Sequence, residues 1–346
     1  MFASRPPPAS LGARLGKPPP GLYHSAAMKI LFITATRIGD AVLSTGVLGY
    51  LVECFPEARF TIAAGPVAAP LFEAVPRLDR LIVVEKRPLS LHWLTLWRNV
   101  VGTRWDIVLD LRRSALRYLV RARRRLVDAK GAEGENRVVE LARIFALEKP
   151  PAPVLYRAAS HERAAALLAP PGDSILAIGP AANWRGKQWR AERFAELAAR
   201  LTAPGGILPG ARVAVLAAAH EREQASPLLA AIPGERLIDR VGKVDLLTAS
   251  AVLRRTALFI GNDTGLMHIA AASGAPTVGL FGPSPAARYA PWGARTAVAQ
   301  TAIPSLALFG PDFDHRTTDT MMDSLSVDAA EATVRRLWRS IGGAAA

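Results

Sequence analysis

Short apolar runs alternate with segments of helical period along most of the chain. Residues 29–35 (KILFITA), 60–64, 81–84 and 107–111 (IVLDL) are apolar runs of buried-strand type. Residues 41–53 and 67–74 between them have the spacing of helices. The pattern restarts after the proline-rich stretch 150–153 and a helix over 161–168. Strands are then predicted at 174–179, 212–217, 258–261 and 277–281, with helices at 191–201, 221–231, 244–255 and 266–273. Residues 301–323 read as a long loop, and 327–340 as an amphipathic helix. Strands alternating with helices mean an α/β fold on parallel sheets. Two such series in tandem predict two doubly wound, Rossmann-like domains, 28–170 and 171–326, followed by a C-terminal helix and tail, 327–346. The boundary is expected near Pro170-Pro171-Gly172, and two facing domains of this kind create a cleft. Ligands of open α/β sheets bind at the carboxyl ends of the strands, so the residues just after each strand carry the functional reading.

The first 27 residues break the pattern. They hold two proline triplets, three basic residues (Arg5, Arg14, Lys17) and no acid. They are expected to be extended or disordered, and they lack the apolar core of a secretory signal. The folded part is expected to begin at Met28. Half of all residues are hydrophobic, which excludes a disordered chain. The most apolar stretch, 269–282, is broken by Gly274 and Pro276 and is too short to span a membrane. A single cysteine, Cys54, excludes a disulfide framework and a Cys-based zinc site. Charge changes the picture most. Lys and Arg number 43 against 29 Asp and Glu, a net +14, and the excess lies outside the tail. Such a balance implies an anionic partner: nucleic acid, a phosphorylated lipid, an acidic membrane surface or a nucleotide.

Four clusters after strands could carry chemistry. In Thr36-Arg37-Ile38-Gly39-Asp40, Asp40 stands where a helix N-cap belongs, and the dipole favours its ionised form. That is an anion able to take a proton, although an ordinary capping aspartate would look the same. In Asn262-Asp263-Thr264-Gly265-Leu266-Met267-His268, the N–H groups of Thr264, Gly265 and Leu266 open a helix, a ready phosphate site. Asp263 could accept from sugar hydroxyls, and His268 lies one turn on. Capping with a packed histidine is the plain alternative. Lys187, in Lys187-Gln188-Trp189, can reach a diphosphate as a compact charge. Seven arginines from Arg112 to Arg125 are interrupted by no acid. Arg113, Arg117, Arg121 and Arg124 recur at helical spacing, which predicts one anion-binding helix face. No GxGxxG, Walker A, HExxH or Gly-x-Ser-x-Gly motif occurs, and no metal site is proposed. The DxD-like Asp312-Phe313-Asp314 lies in the late loop and is read as incidental.

Three segments in order resemble glycosyltransferase family 9, the ADP-heptose:lipopolysaccharide heptosyltransferases. MKILFITATRIGDAVLSTGVL (28–48) resembles the family's opening strand, xGD turn and helix. NWRGKQWRAERFAEL (183–197) is similar to its K-x-W segment, and GNDTGLMHIAAASGAPTVGLFGPSP (261–285) to its D-[ST]-G-x-x-H stretch. The resemblance covers nearly the whole chain from Met28. It implies a GT-B architecture, with the nucleotide-sugar donor in the C-terminal domain, and an inverting transfer that needs no metal and no cofactor. It implies that Asp40 is the general base and that Lys187 contacts the donor phosphates. Asp263 would bind donor sugar hydroxyls, while Thr264, Gly265 and Leu266 cradle the diphosphate and His268 supports their helix. Glu221, with Glu223 as second choice, would contact the donor nucleoside. Arg37, Arg112, Arg113, Arg117 and Arg121 would meet an anionic, lipid-linked glycan acceptor such as the lipopolysaccharide core. The enzyme would then be cytoplasmic, in peripheral contact with the membrane leaflet. Rival readings are a family member using another nucleotide sugar, a nucleotide-sugar epimerase on the same scaffold, and a binding protein without activity. Nucleic acid is not expected, because no nucleic-acid-binding module is visible in the sequence.

Overall fold

The computed structural model describes residues 28–128, 131–132, 134–169, 172, 174–310 and 313–342. The expected tail, 1–27, lies outside the described residues, as does Asp312. The chain divides into two compact units.

In the first unit the order is β1 (Lys29–Ile33), α1 (Ile38–Cys54), β2 (Arg59–Ala64), β3 (Leu78–Val83), α2 (Leu91–Val100), β4 (Trp105–Asp110), α3 (Leu116–Leu119), β5 (Ala122–Val127) and α4 (Arg137–Ala142). The sheet runs β3-β2-β1-β4-β5, all parallel. Central β1 is covered on both faces and therefore reads as a continuous apolar run. Helix α1 is buried on every side from Ala41 to Val52, the pattern of a helix packed between layers. Its outer side is closed by the proline-rich segment: Val154 N–H donates to Thr45 Oγ1 at 3.0 Å, and a side chain at Gly46 would collide with the Pro151 carbonyl.

The second unit contains α5 (Ala159–Leu168), β6 (Ile175–Gly179), α6 (Ala191–Thr202), β7 (Arg212–Val215), α7 (Arg222–Ala231), β8 (Leu237–Asp239), α8 (Leu246–Leu253), β9 (Leu258–Asn262), α9 (Gly265–Ala272), β10 (Thr277–Phe281), α10 (Ala286–Tyr289), β11 (Thr296–Gln300) and α11 (Val327–Ser340). Its parallel sheet runs β11-β10-β9-β6-β7-β8. Val327, Ala330, Val334 and Leu337 of α11 enter the same core as β6, β7 and β9, so the terminal helix is part of this unit.

Several expectations change. The main division lies between Val154 and Leu155, residues 134–136 also group with the second unit, and α5 belongs with the second unit. There, Arg157 and Glu162 tie its start to α8: Arg157 donates to Ser250 Oγ at 2.9 Å, and Arg254 donates to Glu162 at 3.0 Å. The helix expected over 67–74 is a single 3₁₀ turn, Ala69–Phe72, with Pro70 in its first positions. The arginine helix is not formed. Arg123, Arg124 and Arg125 lie in edge strand β5, and only Leu116–Leu119 is helical. An edge strand tolerates charge along its length and is protected by it from pairing with another chain. Among the described residues, no helix is long and apolar enough to cross a membrane.

Candidate active site

The second unit brings three expected segments to one edge of its sheet. Lys187 follows β6, Asp263 follows β9 and Glu221 follows β7, and β9-β6-β7 are parallel neighbours. Lys187 Nζ donates to Asp263 Oδ2 at 2.7 Å. Asp263 is buried and Lys187 half-buried, so the pair is a partly desolvated, charge-assisted contact. Asp263 N–H donates to the Leu280 carbonyl at 3.1 Å, which fixes the backbone at the start of the turn. Thr264 is the N-cap of α9 in extended conformation, and its side chain makes no cap hydrogen bond. The first-turn N–H groups of an eight-residue helix therefore open beside the Lys187–Asp263 pair, a positive field at a helix N-terminus. His268 is buried one turn later, with Nε2 4.0 Å from Asp263 Oδ1.

Two neighbours of this pair were not assigned roles by sequence reasoning. Asn262 is fully buried at the end of β9. Its Oδ1 accepts from Trp189 N–H at 3.1 Å and its Nδ2 donates to the Pro180 carbonyl at 2.7 Å. One side chain thus ties both ends of the Lys187 loop to the strand that carries Asp263. Gln224 accepts from Ala182 N–H at 3.1 Å and links α7 to the same loop. The signal for Asn262 was a polar side chain closing an apolar strand, LFIGN; Gln224 had no comparable signal.

The expected loop 301–323 is a strap over the Lys187 turn at its later end. Met321 N–H donates to the Gly186 carbonyl at 3.0 Å, and Thr320 Oγ1 donates to the Gln188 carbonyl. Arg185 donates to Asp319 at 2.7 Å, and Arg190 binds Asp323 through two bonds of 2.6 Å. The Thr320 N–H and Arg185 hold the Asp319 carboxyl below its usual range, and the Arg190 guanidinium does the same for Asp323. Trp184 stacks on His315 with ring centroids 4.7 Å apart and donates to its carbonyl at 3.0 Å. Among the described residues, no three His, Cys, Asp or Glu side chains gather as metal ligands.

Glu221 does not point away from its loop. Its Oε2 accepts from Ala218 N–H at 2.8 Å, while Glu223 is exposed on the first turn of α7. A side chain at Gly242 (φ +69°) would strike Ala219, so the loops after β7 and β8 touch backbone to backbone here.

In the first unit, the expected N-cap position of Asp40 is corrected. The cap of α1 is Arg37, in extended conformation, and Asp40 is the third residue of the first turn. The helix starts earlier because Ile38 and Gly39 take helical geometry. Asp40 remains in the positive field of the helix start, half-buried just beyond β1, with Arg37 exposed beside it.

The arginines after β4 are spread rather than aligned. Asp110 is fully buried and accepts from Arg112 N–H at 2.9 Å, Ser114 N–H at 2.8 Å and Ser114 Oγ at 2.6 Å, folding the loop around Arg113 (φ +53°). Arg112 lies 4.9 Å over the Trp93 ring. Arg117 donates to the Ser114 carbonyl at 3.0 Å, Arg113 reaches Asp128 at 3.9 Å, and Arg121 is exposed. Arg125, though exposed, folds back onto the carbonyls of Arg117, Val120 and Ala122 at 2.8–3.0 Å. Asp106 and Asp128, acids outside the run, are also brought beside Arg123 and Arg113.

The model of the family "Glycosyltransferase family 9 (heptosyltransferase)" matches residues 111–310, more than half of the chain. The chain belongs to glycosyltransferase family 9.

This family 9 glycosyltransferase is 26% identical to lipopolysaccharide heptosyltransferase 2 of Salmonella typhimurium over 298 residues, 74% of this chain and 83% of that protein. Its fold matches the crystal structure of a family 9 glycosyl transferase from Veillonella parvula with a TM-score of 0.72 at 19% identity, covering 91% of this chain and 98% of that one. It matches the ADP-heptose LPS heptosyltransferase II of E. coli with a TM-score of 0.71 at 18% identity, covering 91% and 99%. The two parallel sheets are those of the GT-B fold of these enzymes.

Proposed function

We propose that this family 9 enzyme transfers heptose from ADP-heptose to an anionic, lipid-linked glycan of the lipopolysaccharide core, on the cytoplasmic side of the membrane. The observation that carries the reading is Lys187 held 2.7 Å from Asp263 at the N-terminus of α9, in a chain of this family. Support for the donor and acceptor comes from the similar proteins, named as a lipopolysaccharide heptosyltransferase and an ADP-heptose LPS heptosyltransferase.

In this mechanism the donor diphosphate displaces Asp263 from the Lys187 ammonium and lies against the N–H groups of Thr264, Gly265 and Leu266. Asp263, released from the lysine, accepts from donor sugar hydroxyls. Glu221 or Glu223 contacts the nucleoside, and Arg37, Arg112, Arg113, Arg117 and Arg121 meet phosphates or carboxylates of the acceptor. An acceptor hydroxyl attacks the anomeric carbon from the face opposite the diphosphate. The new C–O bond forms as the bond to the diphosphate oxygen breaks, so configuration inverts. The hydroxyl proton passes to Asp40, and the electron pair leaves with the diphosphate. General-base assistance of this kind contributes about 10²–10⁴-fold. Fixed N–H groups and a lysine stabilise the developing phosphate charge, so the mechanism requires no metal.

The test is transfer from ADP-heptose to a delipidated lipopolysaccharide core acceptor, with and without EDTA. Turnover that survives EDTA and is lost in Lys187→Ala and Asp40→Asn supports the reading. Turnover only with a uridine or guanosine diphosphate sugar would overturn the donor, and dependence on a divalent cation would overturn the metal-free mechanism.

A further inference from the structure

The shoulder of the first unit formed by α2 and α3 exposes large apolar side chains. Leu89 is 93% exposed, Tyr118 69%, Leu119 61%, Leu91 48% and Leu94 43%. They are parts of one ridge. Leu91, Leu94 and Trp97 follow at three-residue spacing, which sets them side by side along α2. Trp97 Nε1 then donates to the Leu119 carbonyl at 3.1 Å, joining this row to the end of α3. The opposite side of α2 supplies the core: Leu96 and Val100 are buried with Leu116 and Val120. The exposed leucines are therefore surplus to the packing of the helix. Leu89 heads the row in a turn where it and Ser90 have φ of +51° and +58°, a region unfavourable to any residue but glycine. That turn holds Leu89 out in solvent.

Positive charge surrounds the ridge. From Lys86 to Arg125 the chain has eleven basic residues and two acids. Of the acids, Asp110 is buried within its own loop and Asp106 faces Arg123. Lys86, Arg87, Arg98 and Arg121 are exposed, and the Arg117 guanidinium lies 4.5 Å over the Tyr118 ring. Glu85, exposed just before Lys86, is outnumbered by them. Leucines for the acyl boundary, a tyrosine at headgroup depth and cations for lipid phosphates are the components of an element that lies in an anionic membrane interface.

We infer that the α2–α3 shoulder docks the enzyme on an anionic phospholipid leaflet. Leu89, Leu91 and Leu94 enter the acyl boundary, and Lys86, Arg87 and Arg98 contact headgroup phosphates. The inference rests on the reading of the acceptor as lipid-linked for its purpose, and adds the surface and the lipid chemistry that bring the enzyme to it.

Vesicle sedimentation of the full chain, without acceptor, tests it. Vesicles of phosphatidylcholine alone are compared with vesicles of phosphatidylcholine and phosphatidylglycerol in equal parts. The protein is expected to bind the anionic vesicles, with affinity falling about tenfold or more in about 0.5 M salt as the charges are screened. The triple variant Leu89→Ser/Leu91→Ser/Leu94→Ser is expected to lose about tenfold or more in affinity while keeping its activity on a water-soluble acceptor. Equal binding of the triple variant, absence of binding by the wild type, or self-association of the wild type that the triple variant abolishes would each overturn the inference. Wild-type inactivity on the soluble acceptor would instead count against the proposed reaction, so the two failures are distinguishable.

Discussion

The two units hold their charges in opposite ways. In the second, Lys187 and Asp263 face each other at 2.7 Å on a scaffold that is buried and tied from several directions, by Asn262 below and Met321 alongside. In the first, the arginines after β4 are exposed or half-exposed, and several guanidiniums rest on nearby carbonyls or aromatic rings. In the proposed reaction a diphosphate leaves through one geometry, which preorganised donors would serve. A large anionic acceptor, as proposed, would be gathered by exposed cations without a single fixed pose. Asp40 is the exception in the first unit, since it is fixed by its place in the first turn of a buried helix.

Asp40→Asn should break the comparison most severely. It is expected to lower kcat about 10²–10⁴-fold while leaving thermal stability and donor affinity near wild type, measured by steady-state kinetics with calorimetry. Asn262→Ala should follow. It strips a fully buried side chain from the Trp189 N–H and the Pro180 carbonyl, costing about 2–3 kcal/mol in denaturant unfolding. It should also weaken donor binding, whereas acceptor KM stays close to wild type. Arg117→Ala with Arg121→Ala should do the reverse, raising acceptor KM several-fold with a stability change of about 0.5 kcal/mol or less. If that pair abolishes donor binding instead, the division of labour between the units is wrong.

A smaller effect separates structural charge from functional charge within the second unit. Burial alone would raise the Asp239 carboxyl, but Lys243, Arg222 and the Val241 N–H outweigh it and lower it to about 2. A folded-state value below the unfolded one adds stability above the unfolded value, and that stability is lost as pH falls through about 2. Asp239→Asn is thus expected to cost about 1 kcal/mol at neutral pH, after allowance for solvent screening. The difference from wild type should shrink in unfolding curves recorded below about pH 4.

What was legible in the sequence follows from burial. The apolar strands β1, β6, β9 and β10 stand out because both faces are covered, and α11 has the expected bounds because its amphipathic stripe meets the core directly. Lys187, Asp263 and the start of α9 were singled out because each follows a strand at one sheet edge, and the structure brings the first two into contact. Edge strands were less legible: of β3 only its later part was expected, as 81–84. β5 carries three arginines in six residues, and the spacing of Arg113, Arg117, Arg121 and Arg124 mimicked a helix. β8 and β11 were missed as well; both lie at an edge and are largely half-exposed, and β8 has only three residues. Asp40 was placed at the cap because a carboxylate is a common cap, yet Arg37 occupies that position. The Glu221 carboxylate bond to Ala218 and the pairing of 319–323 with the Lys187 turn are contacts made by the folded chain, for which residue type alone holds no signal.

The central claim is an adenosine diphosphate site built on Lys187 and the start of α9. The most direct measurement is the thermal shift of the protein with ADP, UDP, GDP and CMP, each with and without magnesium. A nucleotide at about 100 times its Kd adds roughly 2.7 kcal/mol of stability, a shift of several degrees. The account predicts selective stabilisation by ADP that is independent of magnesium and disappears in Lys187→Ala. No response to ADP, or an equal response in Lys187→Ala, would contradict it.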